Sequence, residues 1–291
     1  MSVQPTLAHL LGNWTLDPAL TAILALAAGL YALGMIRLRG GWPARRAACF
    51  AVGLLTIAIA LESGVDRIGD RALLSVHTVQ HMLLALLAPT LLLFGAPVRL
   101  ALAAGTRPLR ATLASMLSSR AVRILMRPLT GCLLFAVVML ATHERTVFEA
   151  ALDRPALHAL EHAAYFWSGI LLLAPLIAAD PLAHPPGALA RFCWLMAAMT
   201  AMAIPGALLT FAEGVSYPFY IAPAHALGRS ALADEHLAGA IMWVGGGVAM
   251  FALAIALASK AMLEEERHQR RREHYLTGAP PASLEGRTAR G

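Results

Sequence analysis

The sequence is short of charge. Only 14% of its 291 residues are Asp, Glu, Lys or Arg, against 58% hydrophobic, and its mean hydropathy is +0.65. A soluble chain of this length carries roughly a quarter charged residues, so both a disordered chain and an ordinary soluble domain are excluded. Cysteine is scarce as well: Cys49, Cys132 and Cys193 lie far apart with no C-x-x-C pair, which removes a disulfide framework and thiol redox chemistry. The single His-Glu step, His143–Glu144, continues as Arg145-Thr146-Val147, so no H-e-x-x-H zinc-protease motif exists. A serine elbow, a Walker sequence, a Gly-rich nucleotide loop and internal repeats are missing too. Before its first apolar run, "MSVQPTLAHLLGNWTLDP" holds no Lys or Arg and no small-residue cleavage site, and the first helix is expected to be retained.

What the sequence has instead is long apolar runs. Stretches at 18–36, 47–62, 73–94, 128–142, 157–179, 188–211 and 237–259 predict an all-α, polytopic membrane protein with seven transmembrane helices, the fourth of them short. The domain reading follows: a short extracytoplasmic segment at 1–17, a seven-helix membrane domain at 18–262, and a charged cytoplasmic tail at 263–291 whose end is expected to be disordered. The segment 98–127, with six arginines among Leu and Ala, is expected to lie along the inner headgroups.

Positive charge sets the expected orientation. The segments after spans one, three and five, together with the tail, hold 18 of the 23 Lys and Arg residues; Arg67, Arg71, Arg145, Arg154 and Arg229 fall on the other side. The positive-inside rule then puts the N-terminus outside and the C-terminus in the cytoplasm, with 11 of 17 carboxylates outside. This separation accounts for the basic balance without any nucleic acid.

That topology, drawn without reference to histidine, sends eight of the eleven histidines to the outer side: His9, His77, His81, His143, His158, His162, His225 and His236. In "SVHTVQHMLL", His77 and His81 are four apart and share a helix face one to two turns below the surface. In "HALEHAAYF", His158, Glu161, His162 and Tyr165 form one stripe at a similar depth. Two facing i,i+4 pairs can complete the coordination shell of one metal ion, and neutral imidazole is cheap to bury compared with a charged ligand. His143 and His236 reach the same level as further candidates. The bland alternative has these residues hydrogen-bonded to water and to carboxylates such as Asp66, Asp70 or Glu161.

Span six adds "CWLMAAMTAMAIPG", in which Met196, Met199 and Met202 recur at three-residue spacing. Thioethers suit Cu(I), so Met199 and Met202 join the candidate ligands, although methionine at helical spacing also serves packing. Pro205–Gly206 predicts a kink there. The three cysteines, each near the cytoplasmic start of an even-numbered span, read as small packing residues, with a thiolate entry site for Cu(I) as the alternative. Haem is the alternative cofactor, since spans three and five offer axial histidines on facing helices. Metal transport would need polar groups through the full depth, and "LLALLAPTLLLF" and "SGILLLAPLIA" contain almost none.

Three segments, "SVHTVQHMLLALLAPTLLLFGAPVRL" (75–100), "HALEHAAYFWSGILLLAPLIAADP" (158–181) and "LADEHLAGAIMWVGGGVAMFALAIALASKAMLEEER" (232–267), together resemble the CtaG family of cytochrome c oxidase assembly factors. This is the multispanning type associated with caa(3)-type oxidases, distinct from the single-span copper chaperone that shares its letters. The likeness is strongest at His77-x-x-Gln80-His81, His158-x-x-Glu161-His162 and Met242-Trp243. It implies a seven-helix protein of the bacterial inner membrane that assists maturation of a haem–copper oxidase. Copper delivery is the usual proposal, and the ligands would be His77, His81, His158 and His162. Gln80, Glu161 and Asp234 would fix imidazole tautomers by hydrogen bonds, and the partners would be oxidase subunits or a periplasmic copper chaperone. Delivery by ligand exchange involves no covalent catalysis, so no enzyme activity is expected. Two departures stand out: Asp234-Glu235-His236 where the family usually has Asp followed by Gln, and Gly245 where a proline commonly follows Trp-Val.

Overall fold

The computed structural model describes residues 6–38, 41–181 and 186–277, and every regular element among them is helical. His184 and the residues after Thr277, on which the disorder expectation for the tail falls, lie outside the described residues. Six helices are long and apolar enough to cross a bilayer: Pro18–Arg37, Ala44–Glu62, Leu74–Ala104, Pro155–Ile177, Ala188–Thr210 and Ala231–Arg271. At 1.5 Å rise per residue, about 20 residues cover the ~30 Å hydrocarbon core. The fourth expected span differs. Pro128–Thr142 is only 15 residues long and reaches spanning length only together with Arg145–Asp153, from which it is bent by 77°. The bend falls at His143 and Glu144, where the Glu144 side chain leaves the first helix and caps the second by accepting from the Val147 N–H.

Local signals explain the other ends. Asp17 accepts from the N–H groups of Ala19 and Leu20, and Pro18 occupies the first helical position, where no N–H is missed. Ser63 and Ser230 cap the helices that follow them in the same way. Two spans are not uniform α-helices: each holds one π-helical turn, Leu83–Leu87 in the third and Ile241–Gly245 in the seventh. Gly245, where the missing proline left the local shape open, ends the second of these turns. The helix Ala188–Thr210 is continuous, with Pro205 inside it. The basic segment forms three short helices, Pro97–Ala104, Arg107–Ser118 and Arg120–Leu125.

Large apolar side chains such as Ile23, Leu26, Leu208 and Val248 point away from the bundle and are exposed, as lipid-facing positions require. The third and fifth spans pack so closely that a Cβ at Gly169 would collide with the Ala85 carbonyl oxygen inside the π turn. At the histidine-bearing end, a cover is pinned over the bundle by long-range hydrogen bonds. The Ser75 N–H and hydroxyl donate to Asp234, the Ser216 N–H donates to Glu235, and the Tyr217 and Tyr220 hydroxyls donate to the carbonyls of His143 and Gly69. At the opposite end Asp180 accepts from the N–H groups of Val98 and Arg99, which ties the end of the fifth span to the start of the basic segment.

Candidate metal centre

The third and fifth spans bring their histidine pairs face to face. Within each helix the i,i+4 rings stand with centroids 4.1 Å apart for His77 and His81, and 4.2 Å for His158 and His162. Across the gap His77 lies 5.4 Å from His158, and His81 lies 5.3 Å from His162. The four imidazoles therefore form the corners of one compact frame. Glu161 projects into it: one ligand atom from each of His77, His81, His158 and Glu161 lies within 4.8 Å of the other three, and Asp70, His158 and His162 form a second such set. All but His158 of the frame are buried, and His158 is nearly so.

Asp70 is the residue that organises the frame. It sits on the short helix Gly64–Arg71, which approaches the third span so closely that a Cβ at Gly69 would lie 2.9 Å from the His77 Cα. Its Oδ1 is 3.3 Å from His77 Nδ1 and its Oδ2 is 3.4 Å from His158 Nδ1, so one carboxylate bridges one histidine of each pair. A carboxylate held against Nδ1 draws the proton there and leaves the Nε2 lone pair free, the arrangement by which carboxylates orient ligating histidines. Burial pushes the Asp70 carboxyl up to about 6. Burial, reinforced by the negative charge of Asp70, pushes Asp66 up to about 7. An open polar pocket of ≈ 720 Å³, lined by Thr15, Asp17, Asp66, Arg67, Asp70 and Arg71 among others, brings the surface down to Asp70.

The donor set can be tested for fit by asking which buried polar atoms have no partner. Among the described residues eight such side-chain atoms occur, and six belong to this frame: Nε2 of His77, His81, His158 and His162, and both oxygens of Glu161. A buried polar atom without a hydrogen bond costs about 1–3 kcal/mol. Native structures tolerate few, and here six fall on the five residues of one frame. Imidazole nitrogens with one carboxylate are the ligand chemistry of zinc, copper and iron ions. The residues present therefore fit a metal ion.

Tyr165 lies against the His81 ring at 4.2 Å, and its hydroxyl is paired with Thr142 and lies 3.5 Å from His143 Nδ1. Beyond this level the fifth span turns to Leu172, Leu173, Leu176 and Ile177, all fully buried.

The other candidates make bonds of their own. His143 Nδ1 is 2.6 Å from the Met139 carbonyl, and His236 Nε2 is 2.9 Å from the Ala212 carbonyl. Neither joins a converging ligand group among the described residues. Gln80, expected to hold an imidazole, instead donates from Nε2 to the Ala60 carbonyl and to Asp66. Asp234 is likewise displaced from the histidines: its carboxylate is used on Ser75, where it fixes the start of the third span. Glu161, expected to support the imidazoles, stands among the ligand atoms themselves. Met202 is fully buried, and its sulfur lies beside Gly246 of the seventh span, with Met199 next to Gly247. Cys132 is buried, Cys49 half-buried and Cys193 exposed, all as free thiols.

From the sequence alone, Asp70 stands only as a hydrogen-bonding partner in the bland alternative. The signal for it was weak: a carboxylate two helical turns before His77, in a polar segment that gives no hint of folding back.

The sequence model described as cytochrome c oxidase caa3 assembly factor (Caa3_CtaG) matches residues 29–263. Uncharacterised proteins of Mycobacterium tuberculosis and Mycobacterium bovis are each 29% identical over 286 residues, covering 93% of this chain and 42% of theirs. One from Mycobacterium leprae is 28% identical over 275 residues, covering 90% of this chain and 41% of its own. The chain thus spans about two fifths of the length of these relatives. No solved structure matches.

Proposed function

We propose a copper-handling role for this chain, which belongs to the cytochrome c oxidase caa3 assembly factor family. In this reading the frame of His77, His81, His158 and His162, completed by Glu161, takes up a copper ion and passes it by ligand exchange to an oxidase subunit or a copper chaperone. The ion is cargo. No bond of a substrate is made or broken, so the role is that of an assembly factor and not an enzyme.

The observation that carries the proposal is the clustering of six buried, unpartnered ligand atoms on the four facing histidines and Glu161. Asp70 supports it twice. It holds Nδ1 of His77 and His158 and thereby turns their Nε2 atoms to the centre, and it lies where the polar pocket meets the frame, giving a cation a route from the surface. The distribution of Lys and Arg supports an extracytoplasmic position for this end of the bundle in a bacterial inner membrane. The buried leucines beyond Tyr165 favour an ion that enters and leaves from one side over one that permeates. Haem is the poorer fit, because rings 5.3 and 5.4 Å apart across the gap leave no slot for a macrocycle.

Metal analysis of the detergent-purified chain tests this reading. The parent is expected to hold copper, and the doubly substituted His77→Ala, His81→Ala chain to lose it. Equal copper in both would remove the frame as the site. A haem would announce itself by a Soret band. Loss of oxidase activity on deletion of the gene tests the assembly role independently.

A further inference from the structure

His77 and His81 face a second space. They border a small cavity whose wall also includes His143, Met82, Met139 and Met242. It holds ≈ 10 Å³ of room for a water centre, close to what one water or one ion occupies. Its lining is unlike that of the frame next to it. The frame carries the carboxylate of Glu161 and touches that of Asp70, whereas this wall has no carboxylate: it offers three thioethers and three imidazoles, with the hydroxyl-bearing Thr78, Tyr165 and Tyr217 beside them.

The state of His143 is fixed by its partner. Its Nδ1 lies 2.6 Å from the Met139 carbonyl, and a carbonyl oxygen can only accept, so Nδ1 carries the proton and Nε2 keeps a lone pair. Met139 and Met242 are 1% and 2% exposed, so their thioethers are held away from water. The sulfur of Met82 is a neighbour of that of Met202, since each lies 2.9 Å from the position a Cβ on Gly246 would take.

Ligand softness and charge lead to the same ion. Thioethers are soft ligands that suit Cu(I). A monovalent ion is also the charge that an uncharged ligand set in an apolar bundle can hold, because the cost of burying charge rises steeply with its size. We propose that this cavity is a Cu(I) station, adjoining the histidine–glutamate frame and sharing His77 and His81 with it. An ion can then move between the two by exchanging ligands one at a time, without returning to water. The proposal rests on the reading of the frame as a copper site and adds the oxidation state and the second position.

The test uses the full chain in detergent, loaded anaerobically with Cu(I) against a competing chelator and examined by X-ray absorption. Parent chain is expected to show a mixed nitrogen and sulfur shell. In Met82→Leu, Met242→Leu, a volume-conserving change that keeps the packing, the sulfur shell should disappear and Cu(I) affinity fall tenfold or more, while Cu(II) binding at the frame persists and reports an intact fold. Met139→Leu is expected to give a smaller change in the same direction. A shell of nitrogen and oxygen alone in the parent, or parental Cu(I) affinity in the double variant, overturns the station and leaves the frame standing. A parent that binds no copper overturns both.

Discussion

Two sets of buried carboxylates in this bundle are used in opposite ways. In the cover and at the bundle ends, Glu62, Asp180, Asp234 and Glu235 each accept from backbone N–H groups, and Glu62 and Asp234 also accept a hydrogen bond from a hydroxyl. In the gap between the third and fifth spans, both oxygens of Glu161 are buried without a hydrogen bond. The contrast separates architecture from function. A carboxylate that joins two segments stabilises the fold, while one held unpaired beside bare imidazole nitrogens costs stability that a bound cation would recover.

Substitutions that exchange these roles test the contrast. The largest effect on stability is expected at Asp234→Ala, which strands the Ser75 N–H and hydroxyl and should lower stability by about 3 kcal/mol in thermal unfolding; copper per folded chain should be unchanged. Next comes Asp70→Asn, which weakens the hold on both Nδ1 atoms. Losing such an orienting group typically costs ~10–100-fold in metal affinity, read by chelator competition, with little change in melting. Glu161→Gln should leave metal-free stability equal or raise it by about 1 kcal/mol, since an amide can donate to the bare nitrogens, while copper retention falls. If Glu161→Gln instead melts early, the carboxylate belongs with the architectural set. Smallest is Arg145→Ala, which removes an exposed i,i+4 ion pair with Glu149 and should change neither quantity by more than ~0.5 kcal/mol.

Much of this arrangement was legible in the sequence because it follows from helical period and span length. His77 and His81, and His158 and His162, are each four apart, and the two spans enter the membrane in the same direction, so the pairs had to meet at one level. The reach of the shorter elements was not legible. Asp70 belongs to an eight-residue helix whose packing depends on Gly69 and on Tyr220 from 151 positions later. Gln80 and Asp234 sit beside or near the histidines in the motif pattern, yet their bonds go to Ala60, Asp66 and Ser75 because those groups would otherwise be buried unpaired. The bend at His143 was equally hidden, since a 15-residue apolar run reads as a short span whether or not a second helix folds across its end.

The π turn at Leu83–Leu87 separates the third span into two rotational frames. Such a turn accommodates one residue more than the α-helix around it, so a helical wheel drawn through the whole span falls out of phase by roughly 100° below His81. Deleting a single residue of that turn would restore an unbroken α-helix and, with the lower half held by its packing, swing His77 and His81 off the face of the fifth span. The length of this turn is thus a setting for the direction in which the histidines aim, adjustable by one codon with no change to any ligand.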